Sequence, residues 1–166
     1  MANKKSIIRL GTPIIWQASG GTAVFTPQNV ANGAGRIGTS VDLQTTLGTT
    51  RTSLFEWRAV TKSGSTYTVG NMLQLFLATS DGTRQDGSLA LTDGGVSSID
   101  RTRNLRQIGA VIADITTASS VLAASGLVQI TARYVSPVWW NALGVTLTNT
   151  AGDHVFVLTP ITQEIE

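Results

Sequence analysis

"SPVWWNALGVTL", residues 136–147, sets Trp139 and Trp140 side by side in a stretch that otherwise reads as β-strand. Neighbouring strand residues point to opposite faces of a sheet, so a strand here needs apolar surroundings on both sides. Each indole removes about 200 Å² from water when buried. At about 25 cal/mol per Å² that is roughly 5 kcal/mol per ring, an upper figure because an unfolded chain is already partly collapsed. The stretch therefore predicts one ring in the subunit core and the other beneath a loop, an arm or a neighbouring chain. The exception is a bulge at Pro137, which would turn both rings the same way.

The same double-sided pattern recurs on either side. "NMLQLFLAT" (71–79) and "RQIGAVIADI" (106–115) are apolar on both faces, whereas "TSLFEWRAV" (52–60) alternates, with Phe55, Trp57 and Ala59 on one face and Leu54, Glu56 and Arg58 on the other. Further strands are expected within "GRIGTSVDL", "GLVQITARYV", "VWWNALGVTL" and "DHVFVLTPI", divided by Gly-, Asn- and Asp-rich turns. The expected fold is all-β: a jelly-roll or Greek-key β-sandwich of about eight strands over residues 35–166. Residues 1–34, rich in Gly, Asn, Gln and Pro with short apolar bursts, read as an extended N-terminal arm. Residues 80–104 form a long polar insertion, and "TTASSVLAAS" (116–125) reads as a short helix or a loop.

Composition narrows the function classes. There is no cysteine among the 166 residues, so disulfides, thiolate metal sites and cysteine nucleophiles are excluded. Charged residues make up 13% of the chain, against about 25% in typical globular proteins, which suits a surface that packs against neighbours. The sequence pI of 9.4 reflects weak buffering, since the formal net charge is only +2 and the arginines are scattered among acidic residues. No nucleic-acid partner is expected. Arg9, Gly11 and Pro13 interrupt the N-terminal apolar run, and no later run approaches about 18 apolar residues, so neither a signal peptide nor a membrane partner is expected.

Little in the sequence points to chemistry. His154 follows Asp153, but adjacent strand residues point apart, and no G-x-S-x-G elbow supplies a nucleophile. Glu56 and Arg58 read as a surface ion pair rather than a catalytic carboxylate and its partner. The Asp-Gly-rich stretch 81–95 lacks EF-hand spacing, and its glycines, like those at 32–35, precede no phosphate-binding helix. No catalytic residue, metal or cofactor is expected. The residues expected to meet a partner are Lys4, Lys5, Arg9, Ile14, Ile15 and Trp16 on the arm, together with Trp139 and Trp140. Trp57, Trp139 and Trp140, were they exposed, would instead favour a glycan-binding surface. Arg101, Arg103 and Arg106 read equally as solvated residues or anchors.

From about residue 70 to 162 the order "LQLFLATSDGT", "NLRQIGAVIADI", "GLVQITARYVSPVWWNALGVTL" and "TAGDHVFVLTPI" resembles small bacteriophage virion proteins of the kind that decorate or cement capsids. The resemblance implies a β-sandwich or jelly-roll body, a homo-oligomer that is often a homotrimer, no catalytic residues, and an arm or loop gripping the major capsid protein lattice. The chain would then be made in the host cytoplasm and reside on the capsid surface of the virion. Two other readings remain beside it: a carbohydrate-binding β-sandwich used for adsorption to host or mucus, and a tail or head–tail connector component.

Overall fold

The computed structural model describes residues 6–48 and 52–165. Twelve strands are present among them: β1 (Ser6–Leu10), β2 (Ile14–Gln17), β3 (Ala23–Val24), β4 (Ala34–Ile37), β5 (Val41–Asp42), β6 (Leu54–Lys62), β7 (Met72–Ser80), β8 (Gly94–Val96), β9 (Arg106–Ile112), β10 (Val121–Gln129), β11 (Tyr134–Ala142) and β12 (Val155–Ile165). A five-residue helix, α1 (Leu43–Leu47), follows β5.

Two sheets pack face to face. One runs β10-β6-β12-β2-β3 with β1 also on β12, and the other runs β8-β4-β11-β7-β9 with β5 also on β11. Setting aside the short pieces β1, β3, β5 and β8 and ranking the rest in chain order, the first sheet reads first, eighth, third, sixth. The second reads second, seventh, fourth, fifth. Apart from the fourth and fifth, which pair within the second sheet, successive strands thus change sheets, in the interlocked Greek-key order of a jelly roll. The ladders are antiparallel apart from the two-residue β2–β3 pairing.

The alternation in the sequence is the alternation in burial. Along β6 every second residue, Phe55, Trp57, Ala59 and Thr61, is buried between the sheets. Along β11 both sets are buried, because the second sheet is dry on both faces. Its inner set, Val135, Trp139 and Leu143, joins Phe55, Leu75, Phe156 and Leu158 in the inter-sheet core. The Trp139 ring meets Phe25 edge-on at 4.8 Å between centroids. The outer set, Val138 and Trp140, joins Ile37, Phe76 and Ala78 in a second core. The ladder between β11 and β7 runs unbroken through Pro137, so there is no bulge and the two rings diverge. Trp139 is 1% exposed and Trp140 8%.

What covers Trp140 is the insertion. Leu89, Val96 and Leu105 fold back over the outer face of the second sheet, and β8 adds to its β4 edge. Gly35, opposite Val96, leaves room for the indole: a Cβ there would lie 2.9 Å from Trp140 Cε3. Asp93 fastens this roof, accepting from the backbone N–H of Thr26 at 2.9 Å and from the Arg36 guanidinium of β4 through both carboxylate oxygens. Burial raises the Asp93 carboxyl, but the bonds from Arg36 and Thr26 outweigh it and hold the group below the usual carboxylate range.

Three expectations differ from this picture. Residues 14–34 are not an arm: β2 is a strand of the first sheet, and Trp16 and Phe25 are core residues, with the Trp16 indole N–H donating to Thr39 O at 2.8 Å. "GLVQITARYV" is not one strand, since β10 ends at Gln129 and β11 begins at Tyr134. The strand instead starts at Val121, inside the segment read as helix or loop, because the continuous ladder from Val121↔Lys62 to Gln129↔Leu54 with β6 decides its conformation.

Because Trp140 belongs to a core, Trp140→Ala should lower unfolding stability by about 3–5 kcal/mol, as large-to-small core substitutions do. Chemical denaturation measures this. A loss below about 1 kcal/mol, the range of surface changes, would mean the roof does not cover the ring.

Candidate functional site

The sequence-expected partner residues do not come together on one surface. Lys4 and Lys5 lie outside the described residues. Ile14, Trp16, Trp139 and Trp140 are buried within the subunit, so their expected role as partner contacts is corrected: period-2 geometry and the roof supply both environments from one chain. Ile15 is half-buried on the outer face of the first sheet, and Arg9 is exposed on β1. Trp57 is buried as well, its ring slotted between β9 and β10 where Cβ atoms at Gly109 and Gly126 would lie 2.7 and 2.9 Å from Trp57 Cζ2. All four tryptophans are thus withdrawn from any sugar-stacking role.

The arginines of the insertion are used internally. Arg101 donates to Ser88 O at 3.1 Å, Arg103 pairs with Asp100 at 2.8 Å, and Arg106 donates to Gln129 O. Glu56 and Arg58 share the outer face, as read from the sequence, but no ion pair joins them among the described residues.

His154 and Asp153 are not a base and its orienter. Asp153 faces the Thr148 hydroxyl at 2.9 Å and Lys62 at 3.8 Å. His154 is buried, with Nδ1 3.0 Å from Thr61 Oγ1 and Nε2 3.0 Å from Thr148 O. A carbonyl only accepts, so Nε2 carries the proton and Nδ1 accepts from the Thr61 hydroxyl. The ring packs edge-on against Trp139 at 6.4 Å, which makes it a satisfied core histidine.

Three surface features remain. The first is the outer face of the first sheet, over which no second core forms among the described residues: β6 contributes Leu54, Glu56, Arg58, Val60 and Lys62 to it, and β10 contributes Val121, Ala123, Ser125, Leu127 and Gln129. The second is a two-stranded ribbon in which β1 pairs with residues 161–165 of β12 past the end of β6. It exposes Ile8 (73%) and Leu10 (62%) on one face. The third is an open cleft of about 680 Å³ lined by Leu43, Leu47, Ile130 and Arg133 among others. The Thr52 hydroxyl at its wall donates to Ile161 O, so the cleft lies at the root of the ribbon. Arg133 is already engaged there, bonded through Nε and Nη2 to Asp42 at 3.0 and 2.7 Å. This pairing holds the Asp42 carboxyl well below the usual range while Asp42 caps α1 through Gln44 N–H at 3.0 Å. The cleft therefore has mixed walls, with Leu43, Leu47 and Ile130 beside Gln44, Thr52, Ser53 and Thr131, and its cation is neutralised.

The sequence signals the ribbon's exposed pair, Ile8 and Leu10, only as one of the short apolar bursts in the expected arm. It gave no sign of the cleft, whose walls come from segments about ninety residues apart. Among the described residues there is no cluster of three or more metal-ligating side chains, and no helix is long and apolar enough to cross a membrane.

Burial pushes His154 below its ordinary value, against smaller upward pulls from Thr148 and Asp153. Below about pH 6.5 the unfolded chain takes up a proton that the folded chain refuses, so stability should fall as pH drops from 6.5 toward the depressed folded value, and His154 should contribute no slope above it. Denaturant midpoints across pH 5–8 measure this, and His154→Gln should flatten that slope. An equal slope in the variant would exclude His154 as its source. Comparison with protein-family models, with curated proteins and with solved structures finds no match for this chain.

Proposed function

We propose that this chain is a non-enzymatic structural protein of a bacteriophage virion that decorates and cements the capsid, binding the major capsid protein lattice as an oligomer. The observation that carries the reading is the uneven covering of the jelly roll. One sheet is roofed by the chain's own insertion, while the outer face of the other sheet and the terminal ribbon present exposed apolar side chains, Leu54, Val121, Leu127, Ile8 and Leu10, among a few charges. Jelly rolls serve as viral capsid domains and as lectins, and the choice between such uses rests on surface residues rather than on the fold. A lectin use would draw on aromatic platforms, and here every tryptophan is interior. The ordered likeness of residues 70–162 to capsid-decorating proteins points the same way.

In this reading the ribbon is the grip. Its strands carry backbone N–H and C=O groups on edges no other strand occupies among the described residues, so it can add to a sheet edge of a capsid subunit, with Ile8 and Leu10 filling side-chain pockets. Arg9 lies between them. Repetition over a symmetric lattice multiplies a weak contact into firm attachment.

The test is co-sedimentation with empty shells of the major capsid protein of the phage whose genome carries this chain. The wild type should bind and raise the temperature at which the shells disrupt. Ile8→Asp/Leu10→Asp should weaken binding by roughly tenfold or more, about 1.4 kcal/mol, without changing the melting of the free chain. A truncation used for the same purpose must stop before Gly11, since β2 is core. Wild-type protein that fails to co-sediment would refute the reading. Binding that ignores the ribbon substitutions would remove the ribbon as its grip.

A further inference from the structure

We propose that two copies of this chain join through β10, pairing antiparallel across a two-fold axis at Ala124 so that their first sheets become one continuous sheet. The inference does not depend on the capsid reading, because it rests on how the chain treats its sheet edges.

A free edge strand is a template for another strand, and proteins blunt such edges by shortness, charge, proline or bulges. Leaving aside the terminal ribbon, three of the four edges of the two main sheets are blunted in these ways. β3 is two residues long and β8 three. β9 opens on Arg106 and carries a register shift between Leu75 and Phe76 of its neighbour. The fourth edge, β10, has none of these devices. Its nine residues, Val121–Gln129, contain no charge and no proline, and its ladder to β6 is unbroken. No ladder joins it to β9; the two approach through Arg106 and the Trp57 ring. Val121 and Leu127 on its outer face are 64% and 65% exposed.

A second copy is the occupant because β10 is complementary to itself. An isologous contact uses one patch twice, so every residue must suit its symmetric mate. With the axis at Ala124, Val121 faces the partner's Leu127, and Ala123 faces the partner's Ser125, on the outer side of the joined sheet. On the inner side Leu122 faces the partner's Gly126, where the missing side chain already makes room for Trp57, and Ala124 faces itself. The two exposed apolar side chains thus cover each other twice, and no like charges meet. This register uses residues 121–127 and leaves Gln129 O to Arg106, which already occupies it.

Sedimentation velocity of the full chain at low and high micromolar concentration should show a monomer–dimer equilibrium. Val121→Lys/Leu127→Lys puts lysine opposite lysine and should raise the dimer dissociation constant by roughly tenfold or more. Its thermal unfolding should stay near that of the wild type, both sites being exposed. Leu127→Lys alone serves if the double variant folds poorly. Because the chain has no cysteine, Ala124→Cys introduces a unique thiol on the axis, where strand pairing holds the two Cα atoms about 4.5–5.5 Å apart, within disulfide reach. Mild oxidation should trap it as a covalent dimer, whereas Thr66→Cys, in an exposed loop, should not be trapped. A wild-type chain that stays monomeric at high concentration overturns the proposal. So does any oligomer, trimer included, that is indifferent to the lysines and trapped no better by Ala124→Cys than by Thr66→Cys.

Discussion

The whole architecture answers to the opposed directions of two neighbouring side chains. Trp139 and Trp140 cannot share an environment on a strand without a bulge, and the ladder through Pro137 is straight. A conventional two-sheet sandwich offers a strand one dry face. The second face here is created by the insertion together with Leu105 just after it, and they turn a two-layer body into three layers over β7 and β11. Gly35 and the Asp93 anchor follow from this. One vacates the volume the indole needs, and the other holds the roof where Leu89, Val96 and Leu105 can reach it.

Alternation was legible wherever one strand carried its own information. Phe55 and Trp57 declared a half-wet sheet, and Leu73 to Leu77 a dry one, because period-2 burial is a local property. The missed features all depend on a partner distant in the chain. Ile14 and Trp16 sit among glycines and prolines that resemble an arm, and only pairing with β12 makes them core. Val121 to Ser125 is alanine- and serine-rich, which says helix or loop, until β6 imposes a strand. The roof residues are isolated apolar positions in a polar segment, so no period marks them. Ile14, Trp16, Trp139 and Trp140 mislead for the same reason: an apolar side chain whose inner environment comes from distant strands reads locally as part of an outer surface.

Covering one sheet and baring the other also sorts the surface. The residues withdrawn from solvent include all four tryptophans, which make strong single anchors, and those left outside on regular strands are Ile, Leu, Val, Ala and Ser with a few charged residues such as Arg9 and Arg58 among them. Such a surface has little to offer a small polar ligand. It has a repeated backbone and modest side chains to offer another sheet.

The antiparallel contact between the beginning and end of the chain sets a timetable. β2 has a long partner only in β12, and β12 sits between β2 and β6 in the middle of the first sheet. Until residues 155–165 have been synthesised, Ile14 has no ladder to join, Trp16 has only the two-residue pairing with β3, and Phe55 and Trp57 have a strand on one side only. Pairings of such long sequence separation close slowly, since the loop entropy is lost before the contact forms. The nascent chain therefore carries an unfinished first sheet until β12 arrives, and that sheet closes only once this strand is available.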